Sequence, residues 1–163
     1  MPPVLHGQAE ARGHRRPGRP VPPPLRPDHP AGLLNRTVLK GWLAAYGWAW
    51  ETKDPEAAAA LFTENATYRE TPFDEVMTGR EAIRAYWQDQ VVDRQDDISF
   101  GSNVLHVEGD RAFVHWWVSY VRVRDGERFR LDGAFVLDFD RGSGLCRSLR
   151  EWWHVDSTTA FES

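Results

Sequence analysis

An α+β fold, three helices packed on one face of a strongly curved antiparallel sheet, is predicted by three features of this 163-residue chain. Apolar residues recur at helical spacing between residues 35 and 52. Turn signals then divide the second half into four long segments of strand character. Asp125-Gly126 marks a tight hairpin between two of those segments. Helices followed by a run of hairpin-linked strands put the helices on one side of an antiparallel sheet.

The elements follow in order. Leu39, Leu43, Tyr46 and Trp50, with Trp42 beside them, give Asn35 to Thr52 an apolar helical stripe. Asp54 before Pro55 is an N-cap followed by proline at the first helical position, which starts a second, alanine-rich helix running to Phe62. Ala66 to Glu70 reads as a short strand ended by Thr71-Pro72. Thr78 is placed to cap a third helix from Gly79 to about Val91, with Ile83, Tyr86 and Trp87 inward. The strands are Ile98 to Val107, Arg111 to Val123, Glu127 to Phe139 and Leu145 to Val155.

A two-residue turn at Asp125-Gly126 sets Tyr120 opposite Leu131, Val118 opposite Gly133 and Trp116 opposite Phe135, all on one sheet face. His115, Trp117, Ser119, Asp132 and Ala134 then share the other face. That outer face carries Trp117 and Trp152, more apolar surface than a monomer ordinarily exposes, so a homodimer through it is expected.

Composition bounds the function. Nine of eleven prolines lie between Pro2 and Pro30, so residues 1–32 are expected to be a disordered Pro/Arg-rich arm. Residues 33–158 form the expected domain and 159–163 a tail. Residues 1–35 carry five arginines against Glu10 and Asp28, a net of +3. The remaining 15 basic and 22 acidic side chains net −7, which argues against nucleic acid as a partner. No apolar run approaches the ~20 residues of a membrane span, and no secretory signal is read in the arm. With the single cysteine, Cys146, this makes the cytoplasm the expected location.

Several local motifs carry a resemblance. These are Tyr46 to Asp54-Pro55, Leu61-Phe62-Thr63-Glu64-Asn65-Ala66-Thr67-Tyr68, Thr71-Pro72-Phe73, Gly79-Arg80-Glu81-Ala82-Ile83 and Arg150-Glu151-Trp152-Trp153-His154. Over about residues 36–156 the chain resembles the SnoaL-like branch of the nuclear-transport-factor-2-like superfamily. That resemblance implies a cone-shaped domain around a pocket for a small apolar ligand, in a superfamily of isomerases, cyclases, dehydratases, epoxide hydrolases and non-enzymes. From Tyr46 through Trp87 the chain is similar to bacterial ketosteroid isomerase without a gap. In that register Tyr46 falls at the oxyanion-binding tyrosine and Glu70 at the aspartate base. Glu70 is one methylene longer than that base and is followed by Thr71. Phe62 and Trp87 stand where supporting tyrosines can occur, and Phe135 stands at the protonated acid of the oxyanion hole. Asp132, three residues away, is on the opposite face.

The chemistry expected of these residues is proton transfer without a cofactor. A carboxylate at the mouth of an apolar pocket has its pKa raised by desolvation, which suits Glu70 to the role of base. A facing hydroxyl from Tyr46 could donate to a developing oxyanion. Glu151 alternates with Leu149 and Trp153, so it is expected on the concave face as an auxiliary polar group. The alternatives are ion pairs: Glu70 with Arg69 or Arg84, and Glu151 with Arg130 or Arg84. Trp50, Tyr68, Phe73, Trp87, Trp116, Tyr120, Phe135 and Trp153 are expected to line the pocket. His115, His154 and Asp132 share the far face without metal-ligand spacing, and no metal is expected there. A non-catalytic ligand-binding or dimerisation domain remains the other reading.

Overall fold

The structure, a computed structural model, describes residue 21 and residues 34–156, so the expected arm (apart from Val21) and the tail lie outside the described residues. Three helices, α1 (Arg36–Thr52), α2 (Pro55–Ala59) and α3 (Arg80–Trp87), pack on a six-stranded sheet. Its strands are β1 (Phe62–Arg69), β2 (Met77–Thr78), β3 (Gln95–Glu108), β4 (Arg111–Arg122), β5 (Arg128–Phe139) and β6 (Cys146–Val155). Their order across the sheet is β2-β1-β6-β5-β4-β3, curved and unclosed. This is the expected α+β cone.

The helix starts follow the local chemistry. The Asn35 side chain accepts from Val38 N at 2.9 Å, and the Asp54 side chain accepts from Ala57 N at 2.9 Å, each satisfying a donor that has no helical partner. α2 is shorter than expected, ending at Ala59, because Phe62 already belongs to β1. Gly79, not Thr78, caps α3; Thr78 pairs with Thr67 in the β1–β2 ladder. α3 then widens into a π-helical turn, Gln88–Val92, closed by a bond from Asp93 N to Gln88 O at 3.0 Å.

The central hairpin keeps its faces but not its register. Tyr120 lies opposite Phe129, Val118 opposite Leu131 and Trp116 opposite Gly133, two residues from the expected pairing. The cause is a four-residue loop in which only Gly126 is left-handed (φ 73). Arg122 N donates to Glu127 O at 2.8 Å across that loop. The Arg122 guanidinium also clamps the Asp125 carboxylate at 2.5 Å, holding Asp125 well below its usual pKa, at about 2. Because side chains alternate with a period of two, this slip leaves every residue on its predicted face.

β1 joins the sheet parallel to β6, pairing Tyr68 with Leu149 and Arg69 with Arg150. Register breaks in β3 near Asp97 (φ 47) and Leu105, and at Asp138/Phe139 between β5 and β6, are the irregularities that bend such a sheet. α1 lies in the resulting hollow against β3, and α2 packs on α3. Trp42 Nε1 donates to Leu61 O at 2.9 Å, and Arg80 Nε donates to Phe62 O at 2.7 Å, tying α1 and α3 to the start of β1.

Close packing inside the hollow depends on one missing side chain. A Cβ on Gly133 would meet Trp152 O at 2.3 Å and Trp116 and Trp153 carbons at 2.9 Å. The backbone oxygen cannot move aside without breaking the β5–β6 ladder. Gly133→Ala should therefore lower stability by about 1–3 kcal/mol, the range for overpacking a filled core. Denaturant unfolding checks this, and an unchanged midpoint would refute the packing account.

A candidate acid–base cavity with two carboxyls

The narrow end of the cone is solid. Trp42 stacks on Tyr46 (5.1 Å between ring centroids) and meets Phe62 and Phe139 edge-on. At the wide end the packing stops short, leaving a cavity of about 220 Å³. That is below the ~300–1,000 Å³ of pockets for drug-sized ligands, so it suits a small molecule.

Three carboxyl or phenol groups singled out from the sequence, Tyr46, Glu70 and Glu151, line this cavity. So do Trp50, Tyr68, Trp87, Trp116, Tyr120 and Trp153. Two expected wall residues do not. Phe73 is 94% exposed, because the segment after Thr71-Pro72 turns outward before β2. Phe135 is fully buried behind the wall, stacked on Trp116 and edge-on to Tyr46.

Glu151 is only 5% exposed. Among the described residues it makes no hydrogen bond and no ion pair. Arg130 is held by Asp156, and Arg84 by Glu81 at 2.6 Å and Glu56 at 3.5 Å, so neither candidate partner reaches it. Burial first, and then the Glu70 charge, push its pKa well above the ordinary carboxylate value. Both effects favour the protonated, neutral form of Glu151. Glu70 is half-buried and likewise raised, mainly by burial and slightly by Asp74, while a hydrogen bond from Tyr86 pulls it back down. The two carboxyls meet because of the parallel β1–β6 pairing. Each is the next residue along from the Arg69–Arg150 pair.

Tyr46 is fully buried, and its hydroxyl is 2.9 Å from that of Tyr68. Burial and the neighbouring Glu151 push both phenols far up, so both stay protonated. The Tyr46 hydroxyl is thus a member of a tyrosine pair beside Glu151 and not a lone donor beside Glu70. Trp50 Nε1 donates to Gln95 Oε1 at 2.8 Å, fixing one indole of the wall.

Sequence reasoning missed Tyr86, Gln90, Val91, Gln95, Phe129, Leu131 and Val155 as lining residues. Tyr86 was legible as an inward residue of α3, and alternation with Gly133 pointed to Phe129 and Leu131. Gln90 sits in the π-helical turn, and Gln95 in a strand that starts three residues earlier than expected; neither carried a signal.

On the far face, His115 Nε2 lies 2.9 Å from Asp132, and His154 is the cross-strand neighbour of Asp132. Among the described residues no group of three or more His, Cys, Asp or Glu is arranged to hold a metal ion. Trp117 (44% exposed) and Trp152 (45%) stand on this face. Among the described residues no helix is long and apolar enough to cross a membrane.

The fold is shared with solved structures. A protein from Catenulispora acidiphila with a ketosteroid isomerase-like fold, solved in complex with trimethylamine, is 19% identical with a TM-score of 0.60 over 68% of this chain and 83% of that one. The epoxide hydrolase/cyclase-like enzyme SalBIII, of pyran ring formation in the polyether salinomycin, is 23% identical (TM-score 0.61, 71% and 89% covered). An isomerase-like protein from Bacillus subtilis is 16% identical (TM-score 0.63, 72% and 87% covered). These identities establish a common fold and nothing finer. None of the curated proteins matches the chain. Residues 42–146, from within α1 to the first residue of β6, match the SnoaL-like domain, and the chain belongs to that family.

Proposed function

We propose that this SnoaL-like protein is a cofactor-independent enzyme that moves a proton on a small, largely apolar carbonyl or ring compound, as an isomerase, cyclase or dehydratase does. The observation that carries this reading is the pair of unequal carboxyls in one aromatic cavity. Among the described residues Glu151 is buried without a hydrogen bond or ion pair and is pushed toward its protonated form; Glu70 is nearer solvent, hydrogen-bonded by Tyr86 and easier to ionise. Environments that separate two carboxyls in this way supply an acid and a base at one pH.

In the reaction so written, the Glu70 carboxylate accepts a proton from the carbon next to a carbonyl. The C–H electron pair moves toward the carbonyl oxygen, and the Glu151 O–H donates a hydrogen bond to that oxygen. Glu70 then returns the proton to a different carbon, which completes an isomerisation. In a dehydration, Glu151 gives its proton to a departing hydroxyl instead. Glu151 takes the part that Phe135 cannot, from the adjacent strand: the two are cross-strand partners. The Tyr46–Tyr68 pair backs Glu151 as a neutral, polarisable wall.

Glu70→Gln should lower kcat about 10²–10⁴-fold in any proton-transfer activity found with small enones, hydroxyketones or cyclic ethers, with KM little changed. Unchanged turnover would remove Glu70 from the chemistry and leave a binding protein. The pH dependence is bell-shaped: activity rises with pH as Glu70 ionises, above the usual carboxylate range, and falls as Glu151 loses its proton higher still. Tyr86→Phe should move the rising limb to higher pH.

Glu151 also has a stability signature. Its folded-state pKa is raised, so unfolding releases protons above the ordinary carboxylate pKa, and native stability declines as pH rises above about 4.5. Each tenfold change in proton affinity is worth about 1.4 kcal/mol. Glu151→Gln should therefore melt higher than the wild type at pH 7, with the gap closing near pH 4. A gap independent of pH would contradict a protonated Glu151.

A second copy of the chain is the proposed partner of the outer face. Trp117 and Trp152 are flanked there by the Arg130–Asp156 and His115–Asp132 pairs, and a two-fold axis would set such mixed charges against their own complements. Light scattering should give the mass of two chains, falling to one in Trp117→Lys. A monomeric wild type would overturn the assignment.

A further inference from the structure

The cavity has no cationic side chain. Among the described residues its lining holds two carboxyls, two amides and a dense set of aromatic rings, and no Lys, Arg or His. Three tryptophans of that wall, Trp50, Trp87 and Trp116, pack within 5.8 Å of one another through Trp50. The Arg122 guanidinium sits 4.4 Å over the ring of Phe129, a lining residue, where Asp125 and Glu127 neutralise it. A tertiary structure that crowds indole and phenol rings around acid groups builds a region of negative potential, from the ring quadrupoles and from any ionised carboxylate together.

Each class of occupant meets this wall differently. An anion would face two acidic groups with no countercharge. A wholly apolar molecule would leave the buried Glu151 carboxyl without a partner, which costs free energy. A small organic cation satisfies the rings through its methyl groups and the carboxyl through its charge. The volume of about 220 Å³ matches on the order of seven water molecules, the scale of an ion with five to eight heavy atoms.

We propose that the aromatic cavity is a binding site for a small tertiary or quaternary alkylammonium ion, held between the Trp50–Trp87–Trp116 wall and the Glu151 carboxylate. The site stands whether or not the cavity also catalyses proton transfer. It adds a consequence for that reaction. An ammonium group beside Glu151 favours its carboxylate, so the ion expels the proton that the acid role requires and acts as an inhibitor.

The groups facing Glu151 are Tyr46 from α1, Tyr68 from β1, Glu70 just beyond β1 and Tyr86 from α3. All three phenols are pushed up and stay neutral across the working range, which leaves Glu70 as the other titrating group. Glu70 ionises before Glu151 and adds to the attraction. Affinity for the cation therefore climbs with pH until Glu151 is ionised in the free protein, and levels off above that point.

The test is calorimetric titration of the full chain with choline chloride and with 3,3-dimethyl-1-butanol, its uncharged isostere, at constant ionic strength. Choline should bind about tenfold or more tightly than the isostere at pH 8. Heats measured in phosphate and in Tris should differ by up to one proton released per ion. Glu151→Gln should reduce the preference for charge and remove the proton release, while binding the isostere as before. Trp87→Leu should weaken choline more than the isostere. Equal affinities for the two probes, no binding of choline, or an unchanged preference in Glu151→Gln would each overturn the proposal. None of these readouts uses turnover, so a failed cation site leaves the Glu70 rate profile intact, and the reverse also holds.

Discussion

The aromatic column on α1 is the constraint around which the rest of this molecule is arranged. Trp42, Tyr46 and Trp50 recur every four residues, so they stand on one helical face and fill the hollow of the curved sheet. Trp42 closes the narrow end against Phe62 and Phe139, and Tyr46 sits at mid-height among Trp87, Phe100 and Phe135. Trp50 reaches the wide end, where the column runs out and the cavity begins. The location of the cavity is thus set by helix length and side-chain size more than by any residue dedicated to a ligand.

The same packing sets the electrostatics. A carboxyl placed among buried rings, with Arg84 and Arg130 paired elsewhere, has its charged form disfavoured, and Glu151 is that carboxyl. Glu70 differs only by standing one strand over and nearer the mouth, with a tyrosine hydroxyl for company. Two chemically similar side chains thereby acquire different proton affinities from position alone. Their use, as acid and base or as counter-ions to an ammonium group, follows from that inequality.

Much of the fold was legible because it rests on short-range rules. Asn35 and Asp54 announce helix starts, the spacing of Leu39, Leu43, Tyr46 and Trp50 announces a buried helical face, and the strands alternate. The assignment of Glu151, Trp116 and Tyr120 to the concave face survived even though the hairpin slipped by two residues, since a slip of two preserves the period. What misled was local chemistry with two solutions. Asp125-Gly126 suits a two-residue turn, but Arg122 captures Asp125 and widens the loop. Phe73 reads as a wall residue from its neighbours in sequence, but its loop leaves the cone.

The sequence by itself determined the starts of the first two helices, the four long strands, their faces and the family, because periodicity, caps and turn residues act within a few positions of one another. Only the tertiary structure decided that Glu70 and Glu151, 81 positions apart, share one cavity. That meeting depends on β1 lying parallel to β6, a pairing between distant segments that no local pattern encodes. It also decided that no cation among the described residues lines that cavity, since whether an arginine reaches a carboxyl is a matter of where the curved sheet carries it.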